Sequence, residues 1–184
     1  LSEEYPDLER AYAEAADGRV PARVPGEVYC HSLTDPSVLG LVPDGTQTLT
    51  YFGLHLPAAL FDDPATRASR KELAVQRAIA SLNEHLIDPI ESVLAHDADG
   101  RPCIEAKIPQ DIEADLGMPG GHIFHGDLSW PWAADIAALG KPAARWGVAT
   151  CRENILLCGS GAQRGGAVSG LGGHNAAQAV LELA

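Results

Sequence analysis

Residues 153–183 read ENILLCG, SGAQRGGAVSG and LGGHNAAQAVLEL, and they are the most informative part of the chain. The apolar run at 153–159 predicts a short buried strand that ends at Gly159, and 171–183 has the pattern of a helix. Residues 160–170 between them form a loop of small residues. Such a loop and helix N-terminus offer backbone amides and a favourable dipole to a phosphate or an electron-rich ring edge.

The loop differs from a dinucleotide-binding fingerprint in two ways. Arg164 stands where the third glycine would be, and only one helix follows the loop. A true fingerprint opens a βαβ unit, with an acid about 20 residues further on. The chain is therefore predicted to be the back half of a cofactor protein whose βαβ half is absent.

Glycine is dense where the last helix begins, at Gly170, Gly172 and Gly173. Each glycine inside a helix costs about 1 kcal/mol relative to alanine. This density indicates that a sheet or a ligand approaches the backbone closely. An ordinary strand-to-helix turn is the alternative, and we favour a loop that faces a ligand.

Composition limits the classes of function. The net charge of −12 and the lack of a Lys/Arg cluster argue against nucleic-acid binding. No apolar run reaches the roughly 18 residues that span a bilayer. The four cysteines are spread without a Cys-x-x-Cys pair, which predicts reduced, buried thiols in a cytoplasmic protein. The first residue is Leu1 and no signal peptide follows, so we expect a piece of a longer chain.

Periodicity and turn residues predict an α+β fold with a soft domain boundary near residue 118. Two strands joined by about a dozen residues predict an antiparallel pair. The predicted elements are a helix capped by Ser2 and ended by Gly18, strands at 27–33 and 46–56, a long helix from residue 62, a short helix after Pro89 that ends near Ala95, a strand at 101–108, and a helix at 109–116 closed by Gly117.

Histidines and tryptophans crowd the region after residue 118. His122 and His125 are three residues apart, and His174 lies in the last predicted helix. A metal site needs three or four converging ligands, so histidines that bond to backbone or line a pocket are favoured, and we expect no metal. The tryptophans at 130, 132 and 146 either line an apolar pocket or pack in the core.

Several motifs share the pattern of one family. They are LLCGSG at 156–161, GGAVSG at 165–170, NAA at 175–177 and PGGHIFHGDL at 119–128, with support from SLTDPS at 32–37 and the 109–117 helix. From about residue 27 onward, the chain resembles phytoene-desaturase-like FAD-dependent oxidoreductases of the amine-oxidase-like flavoprotein superfamily.

The resemblance implies an FAD-dependent oxidoreductase, a carotenoid-desaturase-like or related dehydrogenase that passes hydride from a small apolar substrate to flavin. Residues 1–118 would be part of the substrate domain, and 119–184 would be the C-terminal segment of the FAD-binding domain. Phe124 and His125 would face the substrate. The implied FAD-binding residues are Gly159, Ser160, Gly165, Gly166, Ala167, Val168 and Ser169.

The resemblance also sets expectations about partners. The absent N-terminal dinucleotide-binding half would cover part of the surface, so the piece alone is expected to lose FAD and to be inactive. Its exposed apolar patch would favour a homodimer, and peripheral contact with a membrane is compatible with the resemblance. Two alternatives stay open: a non-catalytic binding or assembly module without a cofactor, and a small metal enzyme built on the three histidines.

Overall fold

The computed structural model describes residues 1–126, 130–133, 135–164 and 169–183. The chain divides into two units, Leu1–Pro109 and Gln110–Ala184, and each has its own hydrophobic cluster. The assignment of 1–118 to a substrate domain and of 119–184 to an FAD-binding domain stays a prediction.

The described residues hold five α-helices and one two-stranded antiparallel sheet, which confirms the predicted α+β fold. In the described part of the chain, no helix is both long and apolar enough to cross a bilayer. In chain order the elements are α1 (Tyr5–Ala16), β1 (Gly26–Tyr29), β2 (Thr50–Gly53), α2 (Arg67–Asn83), α3 (Pro109–Leu116), α4 (Pro142–Arg145) and α5 (Leu171–Leu183).

The antiparallel pair was predicted correctly, but both strands are shorter than expected. Gly26 pairs with Gly53 and Tyr29 with Thr50. Beyond them the buried hydroxyl of Ser32 accepts the N–H of Thr48 at 2.9 Å. Because this side chain takes the place of a ladder bond, the backbone after β1 turns into a 3₁₀ helix.

Arginines of α2 hold the irregular segments of the first unit around its core. Phe61 and Leu60 are fully buried, and their carbonyls accept from Arg67 Nε at 2.7 Å and Arg70 Nη1 at 2.8 Å. Arg77 donates in the same way to the carbonyl of Val20. The guanidinium groups thus satisfy carbonyls that burial would otherwise leave unpaired.

Helix ends follow the sequence signals at some positions and depart from them at others. α3 has its predicted bounds, and Gly117 closes it with a φ of +68°. The predicted Ser2 cap is wrong, because α1 begins at Tyr5 without a side-chain cap and with a proline in its first turn. The predicted helix after Pro89 is wrong too, since only a 3₁₀ turn forms there.

The predicted strand at 101–108 reduces to a single bridge between His96 and Pro102. Pro102 has no N–H to donate, so a ladder cannot continue through it. The cysteines are free as predicted, but their predicted burial is wrong. Cys30 is half-buried, and Cys103, Cys151 and Cys158 are exposed.

One buried hydroxyl in the first unit allows a direct test of its packing. Val24 is fully buried, and its N–H donates to the buried Ser81 Oγ of α2 at 3.1 Å. Ser81→Ala leaves that N–H without its partner, so the free energy of unfolding should fall by about 1–3 kcal/mol. Urea unfolding measures the loss.

The matched control is Ser69→Ala on the same helix. Ser69 is exposed, and its hydroxyl donates only to the carbonyl of Thr66. We expect a change within about 0.5 kcal/mol. Equal losses for the two variants would contradict the role given to Ser81.

Candidate functional site

The segment before the glycine loop is a narrow turn and bridge in the structure, where the sequence predicted a strand at 153–159. Only Leu156 pairs, in an isolated bridge with Ala149, and Leu157 N–H donates to Val148 at 2.9 Å. The hydroxyl of Thr150 donates toward the carbonyl of Ile155 at 2.9 Å. This bond closes the turn early and ends the ladder after one bridge.

The second unit packs its core under the start of the loop. Val148 and Ala179 are fully buried, and Ala162 and Ala176 join them. α5 therefore lies against α4 and the loop's first residues through small side chains, with Trp146 at the edge of the cluster.

Gly172 brings the start of α5 into close contact with the segment that precedes the loop. A Cβ added at Gly172 would stand 2.7 Å from the carbonyl oxygen of Gly159 and 3.1 Å from that of Cys158. The close approach predicted from the glycine density is therefore made here by the chain's own backbone. A Cβ added at Gly173 would stand 3.7 Å from the carbonyl oxygen of Cys158, which is an ordinary van der Waals contact.

Gly159 and Gly170 flank the loop with open faces. Among the described residues, no atom lies within 4 Å of a Cβ built on either glycine. The amides in the first turn of α5 have no intrahelical partner by the geometry of a helix, and the dipole makes this end positive. The described residues thus leave room for an electron-rich group beside the helix N-terminus.

The predicted FAD-binding residues are only partly visible. The structure describes Gly159, Ser160 and Ser169, and the two serines take part in interactions within the protein. The other four predicted residues lie outside the described residues, so their role stays a prediction. These four are Gly165, Gly166, Ala167 and Val168.

The loop that carries the histidine pair lies against the glycine loop. A Cβ at Gly161 would stand 3.7 Å from the Cβ of His125 and 3.9 Å from the carbonyl oxygen of Phe124. His125 has a φ of +59°, which is uncommon for a residue other than glycine. His122 Nδ1 accepts the N–H of Phe124 at 3.1 Å, so this histidine bonds to backbone.

The third histidine, His174, contacts an aromatic ring. His174 meets the ring of Trp146 edge-on, with 6.2 Å between centroids. Across the ranges that the structure describes, no three His, Cys, Asp or Glu side chains come together as a metal site. Asp127, which the sequence placed near this pair, lies outside the described residues.

A shallow apolar cleft of about 440 Å³ opens beside the loop. Its walls are mostly small side chains, which leave the space open. The cleft is lined by Ala133, Ala138, Ala144, Ala149, Leu157 and Gln163, together with two glycines. Its volume falls in the range that small-molecule sites occupy.

Of the two roles that the sequence left open for the tryptophans, only core packing is seen among the described residues, and only at Trp146. Trp146 packs against the core, and its Nε1 donates to Glu182 Oε1 at 3.1 Å. Trp130 and Trp132 are 72% and 64% exposed. The side chain of Gln163 donates to the carbonyl of Trp130 at 2.7 Å, a link that the sequence did not signal.

The chain is similar to much longer proteins. It is 55% identical over 183 residues to an uncharacterized protein of Mycobacterium tuberculosis, a match that covers 98% of this chain and 34% of the relative. A protein of Mycobacterium bovis matches equally well. The chain thus spans about a third of the length of these curated relatives.

Two mammalian relatives carry a descriptive name. The rat pyridine nucleotide-disulfide oxidoreductase domain-containing protein 2 is 29% identical over 175 residues, which cover 95% of this chain and 28% of that protein. The mouse protein of that name is 30% identical over 170 residues, which cover 91% and 27%. These matches support an oxidoreductase-like relationship. No family model and no solved structure matches the chain.

The contact at Gly172 predicts a sharp difference between neighbouring glycines. Gly172→Ala would force α5 away from residues 158–159, and we expect the free energy of unfolding to fall by about 1–3 kcal/mol. Gly173→Ala has room for its methyl group and should stabilise the helix by up to about 1 kcal/mol. Urea unfolding of both variants checks the pair, and equal effects would contradict the close contact.

Glu182 predicts a pH-dependent contribution to stability. Hydrogen bonds from Arg145 and then from Trp146 lower the pKa of this carboxyl from its ordinary value of 4.5. A lowered folded-state pKa stabilises the protein above pH 4.5, and this stabilisation is lost as the pH falls through the folded value. Glu182→Gln should be less stable than the wild type at pH 7, and the gap should close toward pH 3.

Chemical denaturation across that pH range measures the gap. Arg145→Met removes the hydrogen-bond donor that lowers the pKa of Glu182 most, so the stability gap between this variant and the wild type should also narrow as the pH falls. A gap for Glu182→Gln that stays constant from neutral to acid pH would show that the carboxylate does not contribute through its charge.

Proposed function

We propose that the chain is the C-terminal part of an FAD-dependent oxidoreductase of the desaturase or dehydrogenase type. The observation that carries the proposal is the contact at Gly172, which holds a helix N-terminus beside Gly159 and the glycine loop. The oxidoreductase domain in the names of the two mammalian relatives supports the same class of reaction.

The residues at the loop fit the demands of FAD. Gly159 and Gly170 leave their faces free of described atoms within 4 Å, so none of the described side chains would obstruct a bulky electron-rich group there. In this proposal Gly159 and Ser160 approach the ribityl-diphosphate portion, and the amides of residues 165–168 meet the pyrimidine edge. Ser169 would follow them, two residues before α5 begins at Leu171. FAD supplies the chemistry by accepting hydride.

The protein's own contribution is binding, orientation and electrostatics. The positive end of α5 stabilises negative charge on the ring edge that it faces. The apolar cleft beside Gly161 would hold part of an apolar substrate. Phe124 and His125 lie against the same turn, so we place them on the substrate side.

The remaining expectations belong to the same proposal. Residues 1–118 would form part of the substrate domain, and a preceding dinucleotide-binding half would complete the FAD site. We propose a cytoplasmic protein whose full-length form acts on the substrate. An assembly module without a cofactor is the outcome that would replace this proposal.

Flavin retention tests the proposal directly. We expect the full-length polypeptide to purify with FAD, and residues 1–184 alone to lose it. Absorbance in the flavin bands and titration with FAD measure both. Absence of flavin binding in the full-length form would remove the oxidoreductase proposal and favour the assembly module.

A pair of glycine variants locates the site in the same experiment. Gly159→Val fills the open face beside the loop and should weaken FAD binding at least about tenfold. Gly140→Val is the matched control, because that glycine also has no described atom within 4 Å and lies in a 3₁₀ turn. Equal affinities for the two variants would place FAD elsewhere.

A further inference from the structure

A cleft of about 300 Å³ in the first unit is lined by three arginines and plays no part in the proposed function. Arg70 and Arg77 come from α2, and Arg19 follows Gly18, just after the end of α1. The two arginines on α2 are seven residues apart, which is close to two helical turns, so both lie on one face of the helix. The other lining residues are Glu14, Gly18, Val20, Ala22 and Leu73.

Backbone carbonyls hold the two arginines of α2 in place. Arg70 Nη1 donates to the carbonyl of Leu60 at 2.8 Å, and Arg77 Nη1 donates to that of Val20. Both acceptors belong to buried residues, so the guanidinium groups are fixed to the core of the unit. A guanidinium has five N–H donors, and one such bond leaves others for a ligand. Groups that are fixed before a ligand arrives lose less freedom when it binds.

The charges of these two arginines are not balanced by a close acid. Among the described residues, no carboxylate oxygen lies within 4 Å of a guanidinium nitrogen of Arg70 or Arg77. The pKa of Asp63 is lowered first by the N–H of Ala65 and the hydroxyl of Thr66, and only then by the charge of Arg70. Two half-buried cations therefore face a cleft in a chain whose net charge is −12. Charges of one sign around a cleft concentrate ligands of the opposite sign there.

Arg19 adds a third guanidinium, and Glu14 is the one acid in the lining. Glu14 Oε2 accepts the N–H of Ala22 at 2.6 Å, and its Oε1 lies 3.8 Å from Arg19 Nη1. Arg19 also bonds to Asp17 at 3.1 Å, but its side chain is 59% exposed, and an exposed pair of this kind contributes little. Three guanidinium groups and one carboxylate give the lining a net charge of +2, which a phosphate dianion would neutralise.

We propose that this cleft binds the phosphate group of a small, soluble phosphate monoester through Arg70, Arg77 and Arg19. The planar fork of a guanidinium matches two phosphate oxygens with parallel N–H···O bonds. The volume of about 300 Å³ lies at the lower end for small-molecule sites, which suits a small ligand. All the lining residues belong to the first unit, so binding does not require FAD.

Calorimetric titration of the full-length polypeptide tests the proposal. The probes are inorganic phosphate and glycerol phosphate at pH 8 and constant ionic strength, where the phosphate groups are mostly dianions. We expect saturable binding of one equivalent of either probe. Acetate carries a single negative charge and should bind at least about tenfold more weakly.

Two arginine variants that differ in position locate the site. Arg19→Met removes a lining guanidinium and should weaken phosphate binding at least about fivefold. Arg10→Met is the matched control, because Arg10 lies on α1 outside the cleft, is 62% exposed and also pairs with an acid, Asp7, at 3.6 Å. This variant makes the same change in net charge and should alter the affinity less than about twofold. Equal weakening by both would show a general effect of charge and would overturn the site.

Arg70→Met removes a half-buried cation and should weaken binding at least about tenfold. Unchanged affinity in this variant would overturn the proposal. If Arg70→Met does not fold, because the carbonyl of Leu60 loses its donor, the comparison of Arg19→Met with Arg10→Met decides alone.

The remaining outcomes distinguish the source of the phosphate and the two proposals. Failure of the wild type to bind either soluble probe would overturn this inference, and retention on phosphatidic-acid vesicles in that case would assign the arginines to a membrane surface instead. Flavin absorbance is read on the same samples. A wild-type protein that binds phosphate but holds no flavin would overturn the proposed function and support the arginine cleft.

Discussion

The backbone contact at Gly172 is the constraint on which the second unit depends. A carbonyl oxygen only 2.7 Å from the site of a missing Cβ means that any side chain at that position would push α5 away from residues 158–159. The contact places the first turn of α5 beside Gly159. The residue that precedes the loop and the helix that follows it therefore lie next to each other. The helix N-terminus and the start of the loop meet at one place for this reason, and backbone amides of either kind can bind an electron-rich group.

Arginine side chains that donate to backbone carbonyls recur in both units. Arg67 and Arg70 satisfy carbonyls of the buried Leu60–Phe61 turn, and Arg164 satisfies those at Pro131 and Arg145. Irregular segments lack a ladder to pair their carbonyls, and a planar group with several donors can pair more than one. The short strands and narrow bridges of this chain are compatible with an ordered core because side chains supply these bonds.

The sequence predicts elements whose signals are local and misses those that depend on partners. The predicted bounds of α3 and α5 match those in the structure, because proline, glycine and helical periodicity mark the ends of these helices. The run at 153–159 is apolar enough for a strand, but among the described residues only Leu156 forms a β-bridge, with Ala149. A strand needs a neighbour to exist, and no pattern within seven residues can reveal whether one is present.

The site shows the same division at the level of single residues. Glycine density correctly predicted a close approach at the start of α5, although it could not say whether backbone or ligand would come near. In the sequence, Arg164 is only a departure from the dinucleotide fingerprint. Its hydrogen-bond acceptors lie 19 and 33 residues away along the chain, so no local pattern could reveal them. A fingerprint glycine serves close approach of backbone to ligand, whereas this arginine donates to the carbonyls of Pro131 and Arg145 and so joins two other segments of its unit.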